Sequence, residues 1–223
     1  MSVWALLPVK VLKGAKARLS SVLTEDERSA LARAMLLDVL AALEGANNLN
    51  GIAIVTYDDE AAEIASKAGH RVIPEPDHGG LNGALSHGLQ ALMNDGAHRV
   101  FIIHGDVPAV TSFEIEQLVG LQDNPPFVTL AHALSDGGTN GMVLSPPDCI
   151  PMLYGKGSAN KHVTAADEFD VPVEYVSLEG IGLDVDHPSD LAALIERAPA
   201  GATMDYLLAS GLDKRVKEHN QAN

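Results

Sequence analysis

The segment Ile52-Ala53-Ile54-Val55-Thr56-Tyr57-Asp58-Asp59-Glu60-Ala61-Ala62-Glu63-Ile64-Ala65-Ser66-Lys67-Ala68-Gly69-His70-Arg71-Val72-Ile73 changes its hydrophobic period twice. Residues 52–56 are a short, β-branched apolar run, as a buried strand requires. From Asp58 or Asp59 the apolar positions recur at helical spacing, through Ala61, Ile64, Ala65 and Ala68, until Gly69 stops the helix. A second short apolar run, 71–73, follows at once. A strand, a helix and another strand in this order join one sheet as parallel neighbours through a right-handed crossover.

The alternation extends in both directions. Further strands are expected at 3–7, 100–104, 127–131, 142–145, 173–176 and 182–186. Thr24 with Glu27 forms a capping box for a helix that carries Leu31, Met35, Leu36, Val39, Leu40 and Leu43 on one side and closes at Gly45. Other helices are expected over 81–95, after Thr111-Ser112 with Glu114 in the first turn, and from Pro188 to just before Pro199. Together these predict an α/β fold with a mostly parallel central sheet and helices on both faces. The closer-spaced strands and richer Gly, Pro and Asn content of the second half predict an antiparallel insertion or edge. The expected organisation is one domain over 1–211 and a polar tail, 212–223, that frays.

Composition narrows the function. Hydrophobic residues make up 46% of the 223 and charged ones 20%, which excludes a disordered, collagen-like or coiled-coil chain. Asp and Glu number 30 against 15 Lys and Arg, a net charge of −15. So negative a surface repels nucleic acid and anionic membranes, but it tolerates a small phosphorylated ligand where cations gather. No apolar run approaches the roughly 18 residues of a membrane span. The first residues lack the basic stretch of a signal peptide and read as a buried strand. The single Cys149 excludes a disulfide framework and fits a reducing compartment, so a cytoplasmic protein is expected. A homodimer is compatible with this composition.

The cations do gather. Lys10, Lys13, Lys16 and Arg18 follow the first strand directly, where open α/β sheets bind their ligands. They read either as a polyphosphate cradle or as a solvated loop. No G-x-x-x-x-G-K-[ST] or G-x-G-x-x-G occurs, which disfavours P-loop nucleotidases and dinucleotide-binding dehydrogenases. Asp106 ends the apolar run Val100-Phe101-Ile102-Ile103-His104, a costly place for a carboxylate unless it is paired or caps a turn. Asp184 and Asp186 flank Val185, so in extended chain both project to one face and repel unless a cation intervenes. Mg²⁺ suits them, because it takes one or two carboxylates and completes its shell with phosphates and water. Three glycine-rich stretches are either turns or anion pockets: 136–141 with Thr139, Gly155-Lys156-Gly157-Ser158 leading to His162, and Gly79-Gly80-Leu81-Asn82-Gly83. No Ser-His-Asp, Cys-His or zinc-ligand spacing is present.

In this order, Pro8-Val9-Lys10, Ala15-Lys16-Ala17-Arg18-Leu19, Gly80-Leu81-Asn82, Asp106-Val107-Pro108, Gly137-Gly138-Thr139-Asn140, Gly155-x-x-Ser158 with His162, and Asp184-Val185-Asp186 span nearly the whole domain. The chain thereby resembles the guanylyltransferases of coenzyme F420 biosynthesis, the 2-phospho-L-lactate or phosphoenolpyruvate guanylyltransferase family. The resemblance implies a Rossmann-like nucleotidyltransferase fold and transfer of GMP from GTP to a phosphorylated three-carbon acid, with release of pyrophosphate. It further implies Mg²⁺ on Asp106, Asp184 and Asp186, and the triphosphate on Lys16, Lys10 and Arg18. Gly80, Leu81 and Asn82 would meet the nucleotide, and Thr139, Gly155 and Ser158 the acid. Two departures, the Val107 of Asp106-Val107-Pro108 and Met142 after Asn140-Gly141, bear on the shape of the acid pocket. The alternatives are a molybdopterin or sugar-phosphate nucleotidyltransferase, disfavoured because Leu7-Pro8-Val9-Lys10 stands where those carry a glycine-rich loop, and a nucleotide sensor without turnover.

Overall fold

The computed structural model describes residues 2–76, 78–134 and 137–222. At its centre is a seven-stranded sheet in the order β3-β2-β1-β4-β6-β5-β7. The strands are β1 (Val3–Val9), β2 (Gly51–Thr56), β3 (Arg71–Pro74), β4 (Arg99–Ile103), β5 (Phe127–His132), β6 (Thr139–Ser145) and β7 (Val173–Val176). β1 pairs in parallel with β2 and β4, and β2 with β3, as the alternating periods require. The antiparallel strand of the second half is β6. It lies inside the sheet between β4 and β5, rather than at an edge, while β5 and β7 pair in parallel.

Eight helices follow: α1 (Glu25–Glu44), α2 (Asp59–Lys67), α3 (Gly80–Asn94), α4 (Ser112–Gly120), α5 (Ser158–Glu168), α6 (Pro188–Arg197), α7 (Ala202–Ala209) and α8 (Leu212–Ala222). Their apolar sides cover both faces of the sheet. Strand alternation sends Ala5 and Leu7 into the core shared with α1, α2, α4 and α6, and sends Leu6 into the core shared with α3 and α5. Thr24 and Thr111 each form the complete capping box, and Asp58 caps α2 by accepting from Ala61 N.

Two expectations are corrected. Residues 182–186 do not form a strand: Gly182 and Leu183 close turns onto Leu178 O and Gly180 O, and Val185 N donates to Asp106 O at 2.9 Å in place of a ladder. Residues 212–222 do not fray but form α8. Leu212 and Val216, one turn apart, are fully buried, and that narrow stripe is enough to seat an otherwise polar helix. Arg215 secures it with two 2.8 Å bonds to the Glu27 carboxylate, at the start of α1, and a third to Val22 O. Those Arg215 bonds lead the causes that hold the Glu27 carboxyl down at about 2.

Glu27→Gln keeps an acceptor for the Thr24 amide, removes the charge and turns an NH2 towards Arg215 Nη2 in place of its acceptor. The depressed folded-state pKa means that the charge stabilises fully above about 4.5, the ordinary value, and that this contribution fades as pH falls towards 2. The variant should therefore unfold at a lower temperature than the parent at pH 7, with the gap closing between those limits. A gap independent of pH in circular-dichroism melts would assign the loss to the missing Arg215 hydrogen bond rather than the charge.

Candidate active site

The site forms where β1 and β4 end. The antiparallel sense of β6 brings its start, Thr139 and Asn140, to that same edge, because Gly141 pairs with Ile103, the last residue of β4. A cleft of about 600 Å³ opens there, lined on its polar side by Lys10, Lys16, Arg18, His104, Asp106 and Asp186. Leu81, Met35 and Leu36 contribute apolar wall.

The Lys/Arg loop is held from beneath. Leu12 N donates to Asp58 Oδ2 at 3.1 Å, Gly14 N to Ser29 Oγ at 2.9 Å, and Arg28 Nε to Ala15 O at 3.2 Å. So supported, Lys16 adopts a left-handed backbone, φ 55 and ψ 45, which costs an ordinary residue roughly 1–2 kcal/mol. Its side chain then reaches two carboxylates, with Nζ 2.7 Å from Asp106 Oδ2 and 2.8 Å from Asp186 Oδ1. Arg18 Nη1 takes the other oxygen of Asp186 at 3.0 Å. Burial opposes the charge on Lys16, but attraction to Asp106 and Asp186 outweighs it and raises the ammonium above its usual range. Burial likewise opposes the charge on Asp106; Lys16 and His104 outweigh it and hold the carboxyl low. Both groups are charged at neutral pH.

Asp184 behaves differently. Burial first, then the nearby Asp106 and Asp186 charges, push its carboxyl above the ordinary range, against the bonds it accepts from Asn140 Nδ2 at 3.1 Å and from its own backbone amide. Asn140 also donates to Ile181 O, which fixes its amide. Asp190 accepts from Asp186 N and His187 N at 3.1 and 2.7 Å and so fixes the chain after Asp184.

Among the described residues no three His, Cys, Asp or Glu side chains converge as a metal-ligand set, because the Lys16 ammonium stands between Asp106 and Asp186. The donor chemistry nevertheless fits a hard divalent cation. All the acidic atoms are carboxylate oxygens, and three acids face only Lys16 and Arg18, so Asp184 is left short of positive charge.

On the other side of the edge, Thr139 and Ser158 are 4% and 1% exposed. They do not line the cleft but lock its wall together, as Thr139 N donates to Ser158 Oγ at 2.9 Å. His162 is fully buried between them and the preceding loop. Leu153 N can only donate, so His162 Nε2 accepts it at 3.0 Å, and Nδ1 carries the proton given to Thr139 Oγ1 at 3.0 Å. Burial is the main cause that lowers the imidazole to about 4, which keeps this neutral tautomer at physiological pH. Gly155, with φ +127, and Gly157, with φ +65, form the bend that leads into α5.

The sequence-predicted nucleotide residues divide. Leu81 lines the cleft, and Gly80 has open space where a side chain would stand. Gly79 is needed by its own loop, since at φ +104 a Cβ would come within 2.8 Å of Gly83 Cα. Asn82 is not on the cleft lining and is bonded to the main chain of Tyr154. Asp136, which opens the glycine-rich stretch 136–141, lies outside the described residues. Val107 and Met142 are both fully buried, Met142 in the core among Leu130 and Leu144. Sequence reading passed over Asp58, Arg28, Asn140 and Asp190 as supports of the site. Of these, Asp58 carried a signal as the start of α2, and Asn140 as part of Gly137-Gly138-Thr139-Asn140.

A parallel α/β sheet with one inserted antiparallel strand, a basic loop after β1 and acids at the end of β4 defines a nucleotidyltransferase-type fold. Solved structures bear out the fold. A crystal structure from Desulfovibrio desulfuricans G20 superposes with a TM-score of 0.80 over 98% of each chain at 20% identity. A nucleotidyl transferase from Methanothermobacter thermautotrophicus does so with 0.63, over 88% of this chain and 97% of that one, at 16% identity. Residues 3–223 match the family described as guanylyl transferase CofC like, and the chain belongs to that family. It is an enzyme, a nucleotidyltransferase of the guanylyltransferase kind. Curated relatives include a phosphoenolpyruvate guanylyltransferase of Sphaerobacter thermophilus, 35% identical over 92% of this chain and 98% of that protein. A 3-phospho-D-glycerate guanylyltransferase of Phenylobacterium zucineum is 33% identical over 88% and 91%. A 2-phospho-L-lactate guanylyltransferase of Methanothermobacter thermautotrophicus is 29% identical over 93% and 90%. Among the described residues no helix is long and apolar enough to cross a membrane.

Proposed function

We propose that this enzyme transfers GMP from GTP to a phosphorylated three-carbon acid, one of 2-phospholactate, phosphoenolpyruvate or 3-phosphoglycerate, in the cytoplasmic synthesis of coenzyme F420. The observation that carries this reading is the Lys16–Asp106–Asp186 cluster in the cleft at the ends of β1 and β4, beside the start of β6. The names of the relatives, which differ only in the acid, support the acceptor class.

In this reading an oxygen of the acid's phosphate attacks the α-phosphorus of GTP, the bond to the β-phosphate oxygen breaks, and pyrophosphate departs. A phosphate monoester has a second pKa near ~6 and is already anionic at neutral pH, so no general base is needed. The protein's task is to bring two anions together and to neutralise the departing one. Lys16, Lys10 and Arg18 supply cationic contacts to the triphosphate, with Leu81 and Gly80 towards the base. Asp184, Asp186 and Asp106 would hold Mg²⁺, which would screen the phosphates as charge shifts to the leaving group. The segment from Gly155 to Ser158 and the turn before Thr139 would face the acid.

A pyrophosphate-release assay crossing each nucleoside triphosphate with a panel of acceptors tests this. Turnover is expected with GTP and at least one of the three acids, and none with glucose 1-phosphate or mannose 1-phosphate. Turnover of a hexose phosphate, with none of the acids accepted, would move the enzyme to sugar-nucleotide synthesis.

A further inference from the structure

The loop before α5 has little of its own to define it. Gly155 and Gly157, both at positive φ, lack side chains that could anchor it, and Ser158 follows immediately as the first residue of the helix. Its position is set one step earlier, at two successive peptide groups. Leu153 N is held by His162 Nε2 from α5 itself. Tyr154 is held from outside: its N–H donates to Asn82 Oδ1 at 2.8 Å, and its carbonyl accepts from Asn82 Nδ2 at 3.2 Å. The amide and the peptide thus close a ring of two hydrogen bonds between residues 72 positions apart. Asn82 sits in the first turn of α3, beside Leu81 of the cleft wall. The Tyr154 side chain adds packing, its ring lying 5.0 Å from that of His104 and 4.9 Å from that of His162.

We propose that Asn82, although it stands on the helix that faces the nucleotide, is a positioning residue for the acid side: it fixes the Tyr154 main chain and thereby the Gly155–Ser158 entrance to α5. The role assigned to that entrance rests on the functional reading above; the clamp itself does not. The two contacts, to the N–H and the C=O of Tyr154, hold the peptide groups on both sides of its Cα, which a single bond cannot do. Losing them frees the two glycines to sample their full range.

Two measurements on Asn82→Ala test this. In the ligand-free protein, amide hydrogen exchange at Tyr154 and through 155–159 should become at least about tenfold faster, while the amides of α3 beyond its first turn keep their protection. In steady state the KM for the acid should rise about tenfold or more, as for a lost hydrogen-bonded contact, with the KM for GTP within about twofold of the parent. Asn82→Asp, which keeps an acceptor for Tyr154 N and loses the donor to its carbonyl, should fall between the two on both measures. Unchanged exchange at Tyr154, or a GTP KM that rises while the acid KM does not, overturns the proposal. So does an equal rise in both with a lowered melting temperature, since that is what a merely structural residue would give. If the parent enzyme turns over none of the three acids, the functional reading fails, and the exchange experiment alone decides whether Asn82 sets the entrance to α5.

Discussion

Lys16→Ala should lower turnover at least about a hundredfold, whichever acid is offered. Lys16 is the one cation bonded to both Asp106 and Asp186, and in the proposed reaction it serves the triphosphate common to every acceptor. A charge that stabilises a departing phosphate contributes about 3 kcal/mol or more to the transition state. The ligand-free protein should suffer as well. Without the ammonium, Asp106 loses its bonded cation and Asp186 keeps only the exposed Arg18; with allowance for the exposure of Asp186, the loss is roughly 1–3 kcal/mol. The sign with pH follows. In the parent, the depressed Asp106 carboxyl contributes stability above its ordinary value of 3.8 and loses it as pH falls. In the variant that carboxyl is raised instead, so the melting-temperature gap should be widest near pH 7 and narrow towards pH 4. Near-normal turnover at saturating GTP would sink the assignment of Lys16 to the triphosphate.

Asp106→Asn separates chemistry from folding. The main-chain carbonyl of Asp106 receives Val185 N, and that bond does not depend on the side chain. Asparagine also keeps an acceptor for Lys16. The variant should still fold, giving up at pH 7 the stability that the depressed carboxyl contributes, yet lose about a hundredfold or more in kcat with Mg²⁺ in excess, because one charged oxygen donor is gone. Asp186→Asn should behave alike in turnover but with a larger drop in stability, as it also loses charge opposite Arg18. If both asparagine variants retain normal kcat, the acidic cluster is not the seat of the reaction.

How much of this was legible in the sequence depended on how local the cause was. β1 to β7 were legible because apolar runs bounded by Gly, Pro and Asp reflect burial within each strand. α1 and α4 were legible because Thr24 with Glu27 and Thr111 with Glu114 are complete within three residues. α7 was not, since the group that caps its N-terminus is Asp38 of α1, which accepts from Ala202 N and Thr203 N across 164 and 165 positions. The same holds for α8, whose polar sequence hides the Glu27–Arg215 clasp. The segment 182–186 has the alternation of a strand, with Val185 inward and an acid on either side, but alternation reports a buried face and not a ladder partner.

At the site, the charged loop and the three acids could be picked out individually, whereas their pairing through Lys16 could not. Asn82 was grouped with its helix neighbours because sequence gives proximity along the chain only. Its partner, Tyr154, comes from another part of the chain.

Lys16 and Asp186, bonded in the finished fold, are 170 positions apart. Synthesis on the ribosome therefore delivers the basic loop early and its second acid late. A nascent chain that has already paired β1, β2, β3 and β4 holds Lys16 and Asp106 but lacks Asp184 and Asp186. Such an intermediate has the basic loop and Asp106 without the two later acids that complete the cluster. Cleft assembly waits for the last third of the chain, and any nick or stop before Asp186 should leave a sheet with no transferase activity.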